Sequence, residues 1–349
     1  MFNPLISVNL LLYKPKFYLA PCLNSILAQS YDNFELLIID NNSDDGTVER
    51  IKEIIEEAKK KSQKAVPPYK IIANKENRGF AAAHNQGINA SRGELVALVN
   101  QDVVLDEDFI KRSGEVFNNE KIGSLQAKIL RLKLEGANIS KTDIIDTAGL
   151  IILKNRRIIA RGQGQQDKGQ FDKTEEIFGV DGALPIYRRE ALEDTKIVID
   201  GKEEYLDEDF YMYKEDVDLA WRLSLFGWKS YYVPTIIAWH ARTSGDSEAR
   251  NYFAIVKERL KIGQFSKYLS FKNQRLTQIK NEQFGLLLRH LIYWLPKEIA
   301  SWIYVILFEH YTWNAIKELF KQAPRARQKR KIIMARKKIS GKEIEKWFK

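Results

Sequence analysis

The chain has 349 residues, 44% of them apolar and 29% charged, the balance of a soluble globular protein with room for one large domain or two. Its formal net charge of +10 is localised: residues 321–349 hold twelve Lys or Arg against two Glu, so the rest of the chain is near neutral. A neutral body argues against nucleic acid as a partner and a basic tail argues for an anionic surface, while the lone Cys22 excludes an intramolecular disulfide and a thiolate zinc cluster.

Residues 5–12 form an apolar run of strand length, without the basic start or cleavage site of a signal peptide, and helical spacing follows over 17–29. Residues 34–40 predict a second buried strand, 41–46 a polar turn and the segment through Lys61 a charged helix. Residues 69–73 predict a third strand, 80–90 a helix of small residues and 95–100 a fourth strand. Apolar strands separated by helices mean a parallel sheet covered on both faces, with ligands beyond the strand carboxyl ends. Three polar clusters fall there, at 40–45, 74–78 and 100–102. Strands and hairpins follow over 122–130, 144–153 and 157–161, with a Gly/Gln-rich loop over 162–170 and another strand over 180–187. Residues 210–226 read as a helix with its approach, 228–233 and 236–239 as short strands and 248–267 as a helix. The remainder is helical, amphipathic and then basic.

Each polar cluster offers chemistry and also has a structural reading. Asp40 enters Asn41-Asn42-Ser43-Asp44-Asp45-Gly46-Thr47, where a carboxylate can accept from a uracil or thymine imide or a ribose hydroxyl; the run equally suits a turn capping a helix. Asn77-Arg78-Gly79 opens the small-residue helix that carries His84, Asn85 and Gly87. There Arg78 and the first-turn amides can face phosphate, or Arg78 is solvated, and His84 reads as a hydrogen-bonded helix residue. Asp102, in Asn100-Gln101-Asp102, can hold Mg²⁺ or Mn²⁺ against a diphosphate or can simply end its strand. Asp207, Glu208 and Asp209 suit the start of a helix. Asp218 and Arg222, four apart, pair on one helix face and leave Glu215 and Asp216 for chemistry, since an acceptor hydroxyl needs a carboxylate base within reach. His240 ends a strand, as a ligand for a Mn²⁺-like metal or as a structural histidine.

In this order and spacing the segments resemble the family 2 glycosyltransferases, and among them a rhamnosyltransferase-like branch. The matching stretches are Leu37-Ile38-Ile39-Asp40-Asn41-Asn42-Ser43 with Asp45-Gly46, Asn77-Arg78-Gly79-Phe80-Ala81 with Asn85 and Gly87, and Leu98-Val99-Asn100-Gln101-Asp102. Gly182-Ala183, Arg188-Arg189-Glu190-Ala191-Leu192, Phe210-Tyr211-Met212-Tyr213, Glu215-Asp216-Val217-Asp218-Leu219, Arg222-Leu223, Gly227-Trp228, Tyr232-Val233-Pro234 and His240 continue the series. The resemblance implies an α/β GT-A fold, a Rossmann-like mixed sheet over 1–268 with a nucleotide-binding half (1–105) and an acceptor-binding half (106–268). An amphipathic helical and basic region over 269–349 follows. It implies metal-dependent, inverting hexosyl transfer from a dTDP- or UDP-sugar, rhamnose favoured, to a saccharide or polyprenyl-linked glycan in cell-surface polysaccharide synthesis. Carried onto matching positions, Asp216 takes the acceptor proton with Glu215 beside it, and Asp102 and His240 hold the Mg²⁺ or Mn²⁺. Asp40 binds the nucleoside, and Asn42, Asn77, Arg78, Gly79, Asn85, Asn100, Gln101 and Gly182 complete the nucleotide-sugar site. Three departures stand out: Val8-Asn9-Leu10-Leu11-Leu12-Tyr13 lacks the family's Pro-Thr-Tyr-Asn-like strand end, Asn100 replaces an acid, and Ala241-Arg242-Thr243-Ser244-Gly245 replaces a run of small residues. A catalytically silent nucleotide-sugar-binding or scaffold protein of the same fold is the second function class that fits.

Residues 284–320 are apolar and aromatic, yet the longest uncharged run, 299–308, is short of the roughly 20 residues of a spanning helix. Trp and Tyr with basic flanks favour a headgroup boundary. Arg325, Arg327, Lys329, Arg330, Lys331, Arg336, Lys337 and Lys338 would attract anionic lipid at about 1 kcal/mol per close charge. The expectation is a cytoplasmic protein peripherally attached to the inner face of the plasma membrane through this tail. A helical pair packed on the catalytic domain, or a homodimer interface, are the other readings of the same helices.

Overall fold

The apolar runs of the first hundred residues become the centre of one large sheet. In chain order they give β1 (Ile6–Leu12), α1 (Leu19–Leu27), β2 (Phe34–Asp40), α2 (Thr47–Lys61), β3 (Tyr69–Ala73), α3 (Gly79–Ala90) and β4 (Leu95–Asn100). The structure is a computed structural model that describes residues 3–61, 65–135, 138–242 and 252–349. Every residue of β1 and β2 is buried, as unbroken apolar strands covered on both faces must be. β1 lies between β2 and β4 with β3 outside β2, all parallel. The register sets Leu12 opposite Asp40 and Asp40 opposite Ala73, so the polar turns after β2 and β3 leave the sheet side by side.

Next come β5 (Val103–Leu105), α4 (Phe109–Val116), β6 (Ile122–Glu135), β7 (Asn138–Thr147), β8 (Leu150–Ile152), β9 (Ile158–Ala160) and β10 (Glu175–Ile177). After them lie β11 (Ile186–Arg188), α5 (Arg189–Thr195), β12 (Ile197–Ile199), β13 (Lys202–Glu204), α6 (Glu215–Leu225) and β14 (Lys229–His240). The sheet passes through β11, antiparallel to β4, into β6 and β14, giving the order β10-β14-β6-β11-β4-β1-β2-β3 and the mixed α/β architecture of a GT-A fold. The two short strands expected around Pro234 are one strand: the register shifts between Val233 and Ile237, so the proline is carried in a bulge. The expected strand over 144–153 splits in two at Gly149, whose φ of 108° few other residues adopt.

The C-terminal helices are α7 (Tyr252–Lys261), α8 (Gln264–Asn281), α9 (Phe284–Arg289), α10 (Leu291–Phe308), α11 (Trp313–Arg336) and α12 (Gly341–Glu345). The helix expected over 248–267 breaks at extended Gly263; its start, and residues 243–245, lie outside the described residues. These helices share a core with the sheet domain. Leu286, Ile333, Ile344 and Phe348 pack in one cluster with Leu150, Val217, Trp221 and Leu225, and the Lys349 N–H donates to the Ile152 carbonyl.

Much of the basic tail, expected to be a free patch, is paired within the protein. Lys329 is fully buried and pairs with Glu204, Asp207 and Asp209, while Arg325 pairs with Glu204 and Asp209. Lys280 of α8 pairs with Asp207 and Asp218, and Arg222 meets Asp218 at 3.0 Å, the expected one-turn pair. The cause is the acidic run itself. Glu204, Asp207 and Asp218 are buried carboxylates that need cations, and α8 and α11 supply them. Arg336 and Lys338 similarly reach Asp194.

Candidate active site

Pairing of β5 with β14 builds the first half of the site. His240 lies opposite Val103, and the Ala241 N–H donates to the Asp102 carbonyl at 3.0 Å. That brings His240 Nε2 to 3.3 Å from Asp102 Oδ1. The other ring nitrogen, Nδ1, is 2.8 Å from Oδ2 of Asp146 on β7, and Arg242 bonds Asp146 and, at 3.3 Å, Asp181. Burial disfavours the imidazolium, but Asp102 and Asp146 outweigh it and push the His240 pKa up to about 10. Burial likewise opposes ionisation of Asp102, yet the adjoining His240 holds its carboxyl below the ordinary range.

Asp102 and His240 are oxygen and nitrogen donors of a kind that a divalent cation takes. With Nδ1 directed at Asp146, the carboxylate–histidine arrangement that orients metal-binding imidazoles, Nε2 faces the Asp102 carboxylate, and a cation bound between them would take the place of the Nε2 proton. No group of three or more His, Cys, Asp or Glu that could hold a metal occurs among the described residues. The remaining ligands would therefore be phosphate or water oxygens, as is usual for Mg²⁺ and Mn²⁺ at nucleotide sites.

The second half stands at the N-terminus of α6. Tyr211, Tyr213 and Lys214 have φ of 66°, 69° and 76°, a conformation costly for residues with a Cβ. Two elements hold this loop. Asn273 of α8, fully buried, donates Nδ2 to the carbonyls of Phe210, Met212 and Tyr213 at 2.9, 2.9 and 2.8 Å. From α3 the Ala81 N–H donates to the Tyr211 carbonyl at 3.1 Å. Gly79 lies so close that a Cβ there would sit 2.5 Å from the Tyr211 ring.

Glu215 and Asp216 follow as the first residues of α6. Asp216 is half-buried and accepts from the backbone N–H of Gly182 (3.0 Å) and Val217 (2.7 Å), whereas Oε2 of buried Glu215 has no hydrogen-bond partner. Burial raises the pKa of both; the charge of Asp181 adds to the shift at Asp216, and that of Asp216 to the shift at Glu215. Because backbone donors favour the ionised form, the pair's negative charge resides chiefly on Asp216.

A cleft of about 420 Å³ is lined by Asn100, Asp102, Gly182, Glu215, Asp216 and His240, so the structure brings these six expected residues together. Asp181, Lys214 and Arg242 line it too. Asp40, Asn42, Asn77, Arg78, Gly79 and Gln101 are not in its lining; they sit on or beside the strand-end turns. Asn41, absent from the expected set, ties those turns: it donates to Asn77 Oδ1 at 2.9 Å and accepts from Asn74 Nδ2 and the Arg78 N–H, each at 3.1 Å. Both carboxylate oxygens of Asp40 are engaged by Ser43, and Gln101 accepts from the Tyr13 N–H at 2.7 Å.

Two expectations on α3 are corrected. Asn85 does not face a ligand: it is buried, its amide bonding both the N–H and the carbonyl of Leu206 at 2.8 Å, and so it braces the acidic segment. His84 is buried without a hydrogen bond on either ring nitrogen, edge-on to Phe80, and burial lowers its pKa to about 3. Residues that sequence reasoning missed are Asp146, Asp181, Lys214 and Asn273. Asp146 left a signal, an acid inside the apolar run Ile144-Ile145-Asp146; Asn273 left none.

Strand order, strand-end cleft and paired acidic sites define an α/β protein of the GT-A type. The model of "Glycosyl transferase family 2" matches residues 11–196, and the chain belongs to that family. It is 28% identical to a poly-beta-1,6-N-acetyl-D-glucosamine synthase of Staphylococcus epidermidis over 236 residues, 67% of this chain and 49% of the relative. It is 31% identical over 112 residues to the putative glycosyltransferase EpsH of Bacillus subtilis, 32% of this chain and 30% of the relative. The chain thus spans half or less of the length of these curated relatives. GalNAc-T7, solved with UDP, GalNAc and Mn²⁺, aligns with a TM-score of 0.54 at 13% identity over 88% of this chain and 59% of that one. Staphylococcus aureus TarS 1-349, solved with UDP-GlcNAc, aligns with a TM-score of 0.50 at 14% identity over 98% and 89%. At these identities the likeness is one of fold.

Proposed function

We propose that the chain is an inverting glycosyltransferase moving a sugar from a UDP- or dTDP-sugar to a hydroxyl of a saccharide or lipid-linked glycan, in the synthesis of a cell-surface polysaccharide. The observation that carries this reading is the shared cleft, onto which both the Asp102–His240 pair and Asp216 open. Asp216 takes the acceptor's hydroxyl proton as the acceptor oxygen bonds to the anomeric carbon, and the bond from that carbon to the diphosphate oxygen breaks. Attack opposite the leaving nucleoside diphosphate inverts the centre. The N–H groups of Gly182 and Val217 keep Asp216 ionised and oriented, and Glu215, protonated beside it, confines the pair to one charge. Asp102 and His240 Nε2 would hold a Mn²⁺ or Mg²⁺ ion, whose chemistry is to neutralise the departing diphosphate.

In this reading Asp40 contacts the nucleoside, and Asn42, Asn77, Arg78, Gly79, Asn100, Gln101 and Gly182 contact the rest of the donor. The motif series favours rhamnose, and the names of the relatives and fold neighbours support a UDP-linked N-acetylhexosamine. The sheet domain of 1–268 works together with the helices of 269–349, at the inner face of the plasma membrane.

The test is a thermal-shift panel of UDP-GlcNAc, UDP-GalNAc and dTDP-rhamnose with and without Mn²⁺. One donor should stabilise the protein in a metal-dependent manner. Asp216→Asn should keep that stabilisation and lose transfer by about 10²–10⁴-fold; a variant that still turns over would refute the base.

A further inference from the structure

We propose that the outer face of α9 and α10, continued by the first turns of α11, docks flat on an anionic lipid bilayer. This deepens the proposed function by naming the surface that places the cleft at a membrane, and it rests on that reading only for the identity of the acceptor.

α10 has 18 residues and a mean hydropathy of 1.3, and only 11% of it is buried. Its two charged residues turn inward. Glu298 pairs with Arg275 of α8 at 2.7 Å and accepts from Trp302 Nε1 at 2.9 Å, and Lys297 Nζ lies 3.4 Å from it. Ile292, Ile299, Ile303 and Ile306, spaced along one helical face, are each at least 45% exposed, and Phe308 is 68% exposed. Phe284 (70%) and Leu288 (52%) extend this uncharged face onto α9. A continuous apolar surface of this length marks an interaction site.

The charge beside it identifies the occupant. On α11 the buried positions Ala315, Leu319, Ala323 and Ala326 face the protein, and Trp313, Lys317, Phe320 and Lys321 face out. Aromatic anchors alternating with lysines suit the boundary between acyl chains and anionic headgroups. Arg327 and Lys331 continue the exposed face. The acidic residue nearest these lysines is half-buried Glu318, 3.5 Å from Lys321. A twofold contact of this surface with a second copy would set its cations against one another.

The inner side of α10 shows that it lies along the bilayer and does not cross it. Val305 is 1% exposed and clusters with Phe271 and Ala315, and Trp302 meets Phe271 edge-on at 5.2 Å. Together with the Glu298–Arg275 pair these contacts fasten one whole side of the helix to α8 and α11. The cleft is close by: Arg259 of α7 pairs with Glu309, next after α10, and α7 ends at Lys261, which lines the cleft with Ile262 and Gly263. An acceptor anchored in the bilayer would meet the cleft at this edge.

The experiment is co-sedimentation of the full chain with vesicles of phosphatidylcholine alone or mixed with phosphatidylglycerol, paired with the donor thermal shift. The wild type should pellet with the mixed vesicles. Ile299→Glu/Ile303→Glu and, separately, Lys317→Glu/Lys321→Glu should each weaken binding by about tenfold or more while keeping the donor shift. A wild type that stays in the supernatant overturns the proposal, as does undiminished binding of both variants. So does a dimer in sedimentation velocity that Ile299→Glu/Ile303→Glu breaks without any vesicle binding by the wild type. Vesicle binding without a donor shift would instead fail the reading of the cleft and leave the surface standing.

Discussion

Asn273 does not itself line the cleft, yet it should control turnover. Its amide donates to three carbonyls of the loop that delivers Glu215 and Asp216. Three non-glycine residues with positive φ in that loop cost about 1–2 kcal/mol each, and the two N–H hydrogens of the amide, shared among the three carbonyls, offset about 1 kcal/mol each. The amide thus offsets a substantial part of the strain, and without it the loop gains by relaxing out of its strained form. Asp216 leaves with it, and a shift of about 1 Å at a reacting group costs about 10²-fold in rate. Asn273→Ala should therefore lower kcat about 100-fold with the KM for donor changed less than about threefold. The decisive variant is Asn273→Asp, which keeps the size and sets a carboxylate against three carbonyl oxygens. It should be at least as impaired as the alanine variant, with metal-dependent donor stabilisation retained. Steady-state kinetics with a thermal-shift control decide it: near-wild-type kcat in Asn273→Asp would show that the residue only fills space.

The remaining predictions concern charge. Asp181 raises the pKa of Asp216, and the base works only when ionised, so the rate falls as pH drops through that raised pKa; Asp181→Asn should move the acid limb of the kcat profile to lower pH, and an unmoved limb contradicts the assignment. Lys329→Met leaves Glu204, Asp207 and Asp209 without their shared cation and should cost about 3–5 kcal/mol in denaturant unfolding, whereas exposed Arg327→Met should cost almost nothing. Asp146→Asn should raise the Mn²⁺ concentration needed for half-maximal thermal stabilisation about 10–100-fold by loosening His240; unchanged metal dependence would remove Asp146 from the site.

The features that local rules govern were legible in the sequence. Asp40 and Asp102 could be placed at strand ends because the apolar runs before them have strand length, and Asp218–Arg222 because side chains four apart meet on a helix. The pairing of His240 with Asp102 was anticipated as a shared role, but its geometry depends on β5 meeting β14, a contact between residues far apart in the chain. Asn85 and Asn273 were misread or missed for one reason. An amide can serve a ligand or a backbone equally well, and only the tertiary fold shows that one bonds Leu206 and the other the 210–213 carbonyls. The signal of Asp146 was available, because a carboxylate within an apolar run has to find a partner once buried.

The basic tail shows how a charge surplus can mislead about location. Counted along the chain, the cations of 321–349 look like an electrostatic foot, yet Arg325, Lys329, Arg336 and Lys338 are matched to acids at 194–209. Those acids precede the strained loop, and Lys280 and Asn273 hold its two sides from a single helix. The C-terminal helices thus do two jobs with different faces. Their polar inner face neutralises the buried acids and sets the backbone that presents Asp216, and the apolar outer face of α10 remains for a surface outside the protein. The Glu298–Arg275 pair and Asn273, half a turn from Arg275 on α8, thus link the apolar face of α10 to the loop before Asp216 through packed helices alone.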